Sequence, residues 1–584
     1  MLFVRYNTLI FICFVGFLGG CGGDTPDAPA ARVNAIASEF LAAYYAQFPE
    51  EVYEIGYPNA PNDRFGDHSA KALAAWDTSI DGWAAALDAI DPATLAGMPA
   101  AVTFVFTRER LQALVDRRVC NMHLWNVSPT WTGWPYMIVS TLAIQAVVTA
   151  EQRDEALDRA ADIERFVQTD IDNLRAGQDK GYLAPASNVA AVVEQVSALI
   201  DTAVEDSPFM SPANRSGDEA FRNAYRNIYE SRILPSLIAY RDFLATNYEG
   251  REDLGVAANP DGKECYSASV RYWSSIDMGT MDIHRRGLSE MSRIRSEMLA
   301  IARESFGTED LSALFEELRT NPEYTFESEQ HLLDYVNAAV ERGKLAVPEW
   351  FGTVPDDELL VKPSPAYEKD SGGGFYSSGT ADGSRPGIYQ VGTYNPQGIS
   401  KAGQEATVFH ESWPGHHMQG SVAFLNDDLH PIMSYMFISG SGEGWALYTE
   451  RLAGEMGLYS SDVARLGMLS NEAYRAARLV VDPGIHVLGW TRQQAMDYML
   501  ENTAEGYDSV SSEVDRYAAV PGQATSYLLG SLEIQRLRAN AEKILGDRFD
   551  IREFHDRILV NGSVSLPMLG AEIDAWITEK TSTD

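Results

Sequence analysis

The stretch Thr407-Val408-Phe409-His410-Glu411-Ser412-Trp413-Pro414-Gly415-His416-His417-Met418-Gln419 places three of the chain's ten histidines beside a glutamate. In a helix that reads His-Glu-x-x-His, the two histidines lie about 6 Å apart along the axis, so both rings reach one zinc ion while the glutamate meets its bound water. Here the second histidine comes six (His416) or seven (His417) residues after His410, a rise of about 9 to 10.5 Å in an unbroken helix and too far for a shared ion. Pro414 changes the geometry: in a regular helix its ring would strike the carbonyl of His410, and it has no N–H to donate. The helix is therefore predicted to break at residues 412–415, with two extra residues looping out so that His416 returns to the position of the second ligand; His417 stays as the competing ligand.

A third ligand is sought on the next long helical stretch, Ser441-Gly442-Glu443-Gly444-Trp445-Ala446-Leu447-Tyr448-Thr449-Glu450. Ser441 reads as its N-cap, which puts Glu443 in the first turn, where it is assigned as ligand. Glu450 falls seven residues later on nearly the same face and is assigned to the second shell.

Outward from this region the apolar spacing is helical almost throughout. Residues 151–176, 188–203, 218–247, 289–304, 328–344 and 523–544 each repeat apolar side chains at i, i+3 and i+4, and Gly177 reads as a helix C-cap. The exception is the Gly- and Tyr-rich segment 371–395, which includes Arg385-Pro386-Gly387-Ile388-Tyr389 and is expected to form a β-hairpin. The expected fold is mainly α with one small β-hairpin, in regions 37–370 and 371–584 that form one continuous body.

The whole chain of 584 residues has 46 Lys+Arg against 83 Asp+Glu, a formal net charge of −37. Such an excess repels phosphate backbones and anionic head groups, which disfavours a nucleic-acid binder or a polybasic membrane-surface protein. At the N-terminus Arg5 precedes a short apolar stretch that ends in Leu18-Gly19-Gly20-Cys21. This reads as a lipoprotein signal over 1–20, with Cys21 acylated and followed by a flexible tether over 21–36. The acyl chain would hold the protein to a lipid bilayer, and Gly22 after the cysteine points to the outer membrane, facing the periplasm. Removing Cys13 with the signal and Cys21 to lipid leaves Cys120 and Cys265, which an oxidising compartment favours as a disulfide, with free buried thiols as the alternative.

The motif set resembles one known family. His410-Glu411-x-x-Pro414-Gly415-His416-x-x-Gln419, Gly442-Glu443-Gly444-Trp445-Ala446-Leu447-Tyr448, Arg478-Leu479-Val480-Val481-Asp482-x-Gly484-Ile485-His486 and Arg516-Tyr517-x-x-x-Pro521-Gly522-Gln523-Ala524-x-x-Tyr527-x-x-Gly530 resemble, in this order, the bacterial family known as domain of unknown function 885. Asp382-Gly383-Ser384-Arg385-Pro386-Gly387 also fits, and Pro483 departs from the usual Thr after Asp482. The family is similar in plan to the helical gluzincin metallopeptidases, such as thimet oligopeptidase and angiotensin-converting enzyme, in which a helical ellipsoid encloses a deep channel.

That resemblance implies one zinc ion held by His410, His416 and Glu443, Glu411 as general base, and His486 and Tyr527 as donors to the developing oxyanion. It implies Arg385, Tyr389, Arg478 and Arg516 as substrate-binding residues, Asp482 as a second-shell group, and short peptides as substrates. Close alternatives are an amidase or isopeptidase acting on cell-wall amides, and a non-catalytic lipoprotein that binds peptides.

Overall fold

The computed structural model describes residues 28–51, 57–58, 60–364, 374–380, 383 and 385–582. The signal segment, Cys21, Asp382 and Ser384 lie outside the described residues. Residues 28–36 of the expected 21–36 tether are helical instead: helix α1 (Ala28–Gln47) begins there and buries Val33, Ile36, Ala37, Phe40 and Leu41. Their spacing is that of one helix face, and that face carries the start of the chain into the core.

The protein is mainly α-helical. The elements that bear on the site are α2 (Ala150–Asp179), α3 (Gly262–Ser274), α4 (Glu329–Trp350), strands β1 (Leu359–Pro363), β2 (Phe375–Ser377) and β3 (Gly387–Val391), then α5 (Gln404–Glu411), α6 (His416–Phe424), α7 (Ser439–Glu455), α8 (Asp462–His486), α9 (Tyr507–Ala519) and α10 (Ser526–Leu545). α2 starts with a capping box formed by Thr149 and Gln152. It does not end at Gly177. A Cβ there would lie 1.8 Å from the carbonyl oxygen of Leu124, so this glycine serves a close crossing, and the left-handed residue after the helix is Gly181 at φ +83°.

The expected hairpin is β2 and β3, which pair antiparallel with Tyr376 opposite Tyr389. Unexpectedly, β1 pairs parallel with the far side of β3, giving the order β1-β3-β2. The sheet thus crosses the 370/371 boundary. The helical cores cross it too, since Val33, Phe40, Trp76 and Phe104 share one apolar cluster with Trp413, Trp445, Ile534, Phe554 and Trp576. The two sequence regions form one packed body.

α7 and α10 approach backbone to backbone. A Cβ on Gly444 would lie 2.6 Å from the Gly530 backbone, and one on Gly530 would lie 1.7 Å from the Gly440 carbonyl oxygen. This contact fixes Glu443, the neighbour of Gly444, relative to Tyr527, three residues before Gly530. α7 also begins three residues earlier than expected. Its N-cap position is Ile438, while Ser441 lies inside the first turn and turns its hydroxyl back onto the Ile438 carbonyl. Ser439 instead bonds Ser526 on α10 at 2.7 Å, so tertiary packing sets this helix start.

Cys120 and Cys265 are joined as a disulfide between residues 145 apart in sequence, beside the core that packs α3 against α8 and α9. Closing so long a loop limits the unfolded chain. Replacing both cysteines by serine is expected to lower stability by about 2–4 kcal/mol, read as a lower urea midpoint; an unchanged midpoint would show that the bridge does not constrain unfolding.

Candidate metal centre

α5 ends at Glu411 and α6 starts at His416. Between them Ser412 (φ −112°, ψ −117°) and Gly415 (φ −77°, ψ −133°) leave helical geometry, and the Trp413–Pro414 peptide is cis. The loop returns tightly. A Cβ on Gly415 would lie 1.9 Å from the His410 carbonyl oxygen and 2.4 Å from that of Phe409, so only glycine fits this crossing. Two side chains of α7 hold the turn: Trp445 Nε1 donates to the Pro414 carbonyl at 3.1 Å, and the Thr449 hydroxyl donates to that of Phe409 at 3.0 Å.

The turn brings the two rings together, with centroids 5.0 Å apart and planes at 88°. His410 Nε2 and His416 Nε2 lie 3.4 Å and 3.5 Å from Glu443 Oε2. Zinc bonds of about 2.0–2.2 Å at tetrahedral angles give ligand separations of about 3.3–3.5 Å, which both distances match. Among the described residues this trio is the only group of histidine, cysteine and carboxylate side chains gathered this way.

The opposite ring nitrogens are also engaged: His410 Nδ1 meets Glu450 Oε1 at 2.9 Å and His416 Nδ1 meets Gln419 Oε1 at 3.4 Å. A histidine ligand donates its outer N–H to such an acceptor, which leaves Nε2 for the metal. The donor set, two neutral imidazoles and a carboxylate with paired outer shells, fits zinc.

Charge around the trio favours a cation. Burial pushes the His410 imidazole down, but the Glu443 and Glu450 carboxylates outweigh it and hold it up at about 9. Burial raises Glu443 as well, and the two histidines bring it well below the usual carboxylate range. A proton shared among these groups is what a divalent ion would displace. Burial pushes the Glu411 carboxyl up, against the pull of His410 and His416.

His417 turns away. Its Nδ1 pairs with the Tyr376 hydroxyl at 3.1 Å and its ring packs edge-on against Trp413, centroids 4.7 Å apart. It belongs to the contact between the sheet and the turn. Tyr389, also on the sheet, is buried beside Glu411, and both burial and that charge raise its hydroxyl.

Several expected roles change. His486 is fully buried; its Nδ1 accepts the Val256 N–H at 3.1 Å and its Nε2 donates to the Tyr517 carbonyl at 2.9 Å. Both nitrogens are used by backbone, so it has no hydrogen left for an oxyanion. Asp482 bonds the Tyr266 hydroxyl at 2.8 Å and the Gly522 N–H at 3.1 Å rather than a metal ligand. Arg516 makes a forked pair with Glu513 at 2.9 and 2.8 Å and bonds Gln523, which commits it internally. Arg385 braces its own hairpin through the Ser378 carbonyl at 2.9 Å.

Tyr527 and Arg478 stay with the site. The Tyr527 hydroxyl is raised by burial and then by Glu443, opposed by Arg478 and Arg516, and the Arg478 guanidinium lies 4.6 Å from its ring centre. Sequence reasoning missed Arg475, which approaches Glu450 at 3.9 Å and acts on Glu411. Its place one turn before Arg478 on α8 was the available signal.

A helical body with a His-Glu…His, Glu centre is thus the class defined by fold and site. Residues 49–573 match the family described as bacterial protein of unknown function (DUF885), and the chain belongs to that family. Its fold is similar to that of a "putative lipoprotein" from Colwellia psychrerythraea, at 24% identity and TM-score 0.86 over 94% of this chain and 99% of the other. It is also similar to a "putative lipoprotein of unknown function" from Shewanella oneidensis, at 16% identity and TM-score 0.71 over 92% and 99% of the two chains. No curated protein matches the sequence.

Elemental mass spectrometry of the purified chain should find about one zinc per molecule, the stoichiometry of a single three-ligand site. His410→Ala and His416→Ala should lose it while His417→Ala keeps it; zinc lost with His417 and kept without His416 would reassign the second ligand. Gly415→Ala should also lose zinc, since the added methyl forces the turn apart; full occupancy in that variant would show that the close crossing does not set the ligand geometry.

Proposed function

We propose that this chain is a zinc-dependent peptidase that hydrolyses peptide bonds of short peptides in the bacterial cell envelope. The observation that carries the reading is the convergence of His410 Nε2 and His416 Nε2 on Glu443 Oε2, with Glu411 next in sequence and its carboxylate hydrogen-bonded to no side chain among the described residues. A merely structural ion would have no use for a free carboxylate at that place. His416 and Glu443 keep 14% and 18% side-chain exposure, so the trio is not sealed from solvent.

His410, His416 and Glu443 would hold a zinc ion, whose Lewis acidity would lower the pKa of water at the site toward neutral. Glu411 accepts the proton of the attacking water and delivers it to the leaving amine nitrogen, so that water and amide become carboxylic acid and amine. Tyr527 donates its hydroxyl hydrogen toward the carbonyl oxygen as negative charge develops there. Glu450 and Gln419 hold the two imidazoles in the tautomer that leaves Nε2 free.

Envelope location is supported by Leu18-Gly19-Gly20-Cys21, which reads as a lipobox with Cys21 as the acylated residue, and by the lipoprotein description carried by both fold relatives. Among the described residues no helix is long and apolar enough to cross a membrane.

Turnover of a fluorogenic short-peptide library should be stopped by a chelator and restored by zinc. Glu411→Gln is expected to lower kcat by about 10²- to 10⁴-fold with zinc content unchanged. Turnover like that of the unmodified chain in this variant would rule out the assigned base.

A further inference from the structure

We propose that Arg478 forms the end of the substrate site and binds the free C-terminal carboxylate of the peptide, which makes the protein an exopeptidase acting from the C-terminus. The proposal rests on the peptidase reading and adds the substrate class. Arg478 is only 6% exposed. Its Nε donates to the Tyr517 hydroxyl at 2.9 Å and its Nη2 to Glu513 at 3.0 Å, but its buried Nη1 has no partner. An unmade hydrogen bond on a buried cation is costly, and a ligand oxygen placed there removes the cost.

Charge points the same way. Glu513 is shared with Arg516, so two guanidinium groups face one directly paired carboxylate. Asp482, the next acid on α8, directs Oδ2 to Tyr266 and Gly522. Asp482 adds a further negative charge on which both arginines act, and an incoming carboxylate meets the unpartnered Nη1 of Arg478. The Arg478 side chain is fixed in advance by three rings, Tyr474, Tyr527 and Tyr517, with centroids 4.3, 4.6 and 5.8 Å from the guanidinium.

The other arginines suit this role less. Arg516 is forked onto Glu513. Arg385 and Arg475 each leave Nε open, but Arg385 braces the hairpin and Arg475 faces Glu450 behind His410. Arg478 lies 4.6 Å from the Tyr527 ring centre, and Glu443 raises the Tyr527 hydroxyl, so this tyrosine neighbours both the arginine and the candidate metal centre.

The test uses the full zinc-loaded chain in detergent carrying Glu411→Gln, with calorimetric titration of Ala-Ala-Phe and of its C-terminal amide. The free acid is expected to bind about 10- to 100-fold more tightly, the value of a charged hydrogen-bonded pair. Adding Arg478→Gln should remove that preference, and Arg478→Lys should retain part of it. Equal affinity for acid and amide in the chain with Arg478 intact would overturn the proposal without reliance on any Arg478 variant. Equal cleavage of both peptides by the unmodified enzyme would overturn it while leaving the peptidase reading in place. An Arg478-dependent preference for the acid, with no cleavage by the unmodified chain, would keep the subsite and overturn the peptidase.

Discussion

The Phe409 and His410 carbonyl oxygens press so closely on the Cα of Gly415 that a side chain there has no room. Everything about the candidate centre depends on this crossing. A helix carrying ligands six residues apart would send their rings to different levels; doubling the chain back on its own last turn restores one level. The crossing in turn leans on α7, whose Trp445 and Thr449 hold the turn's carbonyls while Glu443 and Glu450, on the same helix, reach the metal position and the outer nitrogen of His410. One helix therefore supplies a candidate ligand, the partner of another candidate ligand, and both clamps on the turn. Such economy makes the site sensitive to the placement of α7, and the glycine contacts with α10 fix that placement at backbone distance.

Burial of this much charge needs compensation. Glu450 is 1% exposed and Glu405, at the start of α5, is fully buried. Arg342 of α4 pairs with Glu405, and Arg475 of α8 approaches Glu450. An isolated carboxylate in these places would cost several kcal/mol, on the order given for a buried unpaired ion. Glu443 is balanced by the two imidazoles, a balance that a bound cation would complete.

The trio His410, His416 and Glu443 was legible because each step rested on local chemistry: the proline that cannot continue a helix, the histidine spacing and the glutamate on the next helix. The mainly helical fold was legible from apolar periodicity for the same reason. What was not legible depended on partners distant in sequence. Ser441 looks like a cap, yet the helix starts at Ser439 because Ser526 bonds it. Gly177 looks like a helix end, yet it exists for the Leu124 carbonyl. β1 has no turn signal linking it to β3, from which it is more than twenty residues away in sequence. His486 has the residue type of a catalytic donor, and only the approach of Val256 and the Tyr517 carbonyl shows that its hydrogen is already used.

Asp482 and His486, displaced from direct chemical roles, share one face of α8 with Arg475 and Arg478. Arg475, Arg478, Asp482 and His486 follow one another at intervals of three or four, so they lie along one face of that helix. The first meets Glu450 behind the ligand His410, and the second stacks on Tyr527. Asp482 holds the N–H of Gly522, a left-handed residue at φ +77° in the turn that leads into the helix bearing Tyr527. His486 closes the series by fixing the end of α9, which carries Glu513 and Arg516. A single helix face thus carries side chains that reach the outer partner of His410, the ring of Tyr527 and the turn before the helix that bears that tyrosine. Their spacing is set by helix geometry rather than by loops, which is the condition for a preorganised site.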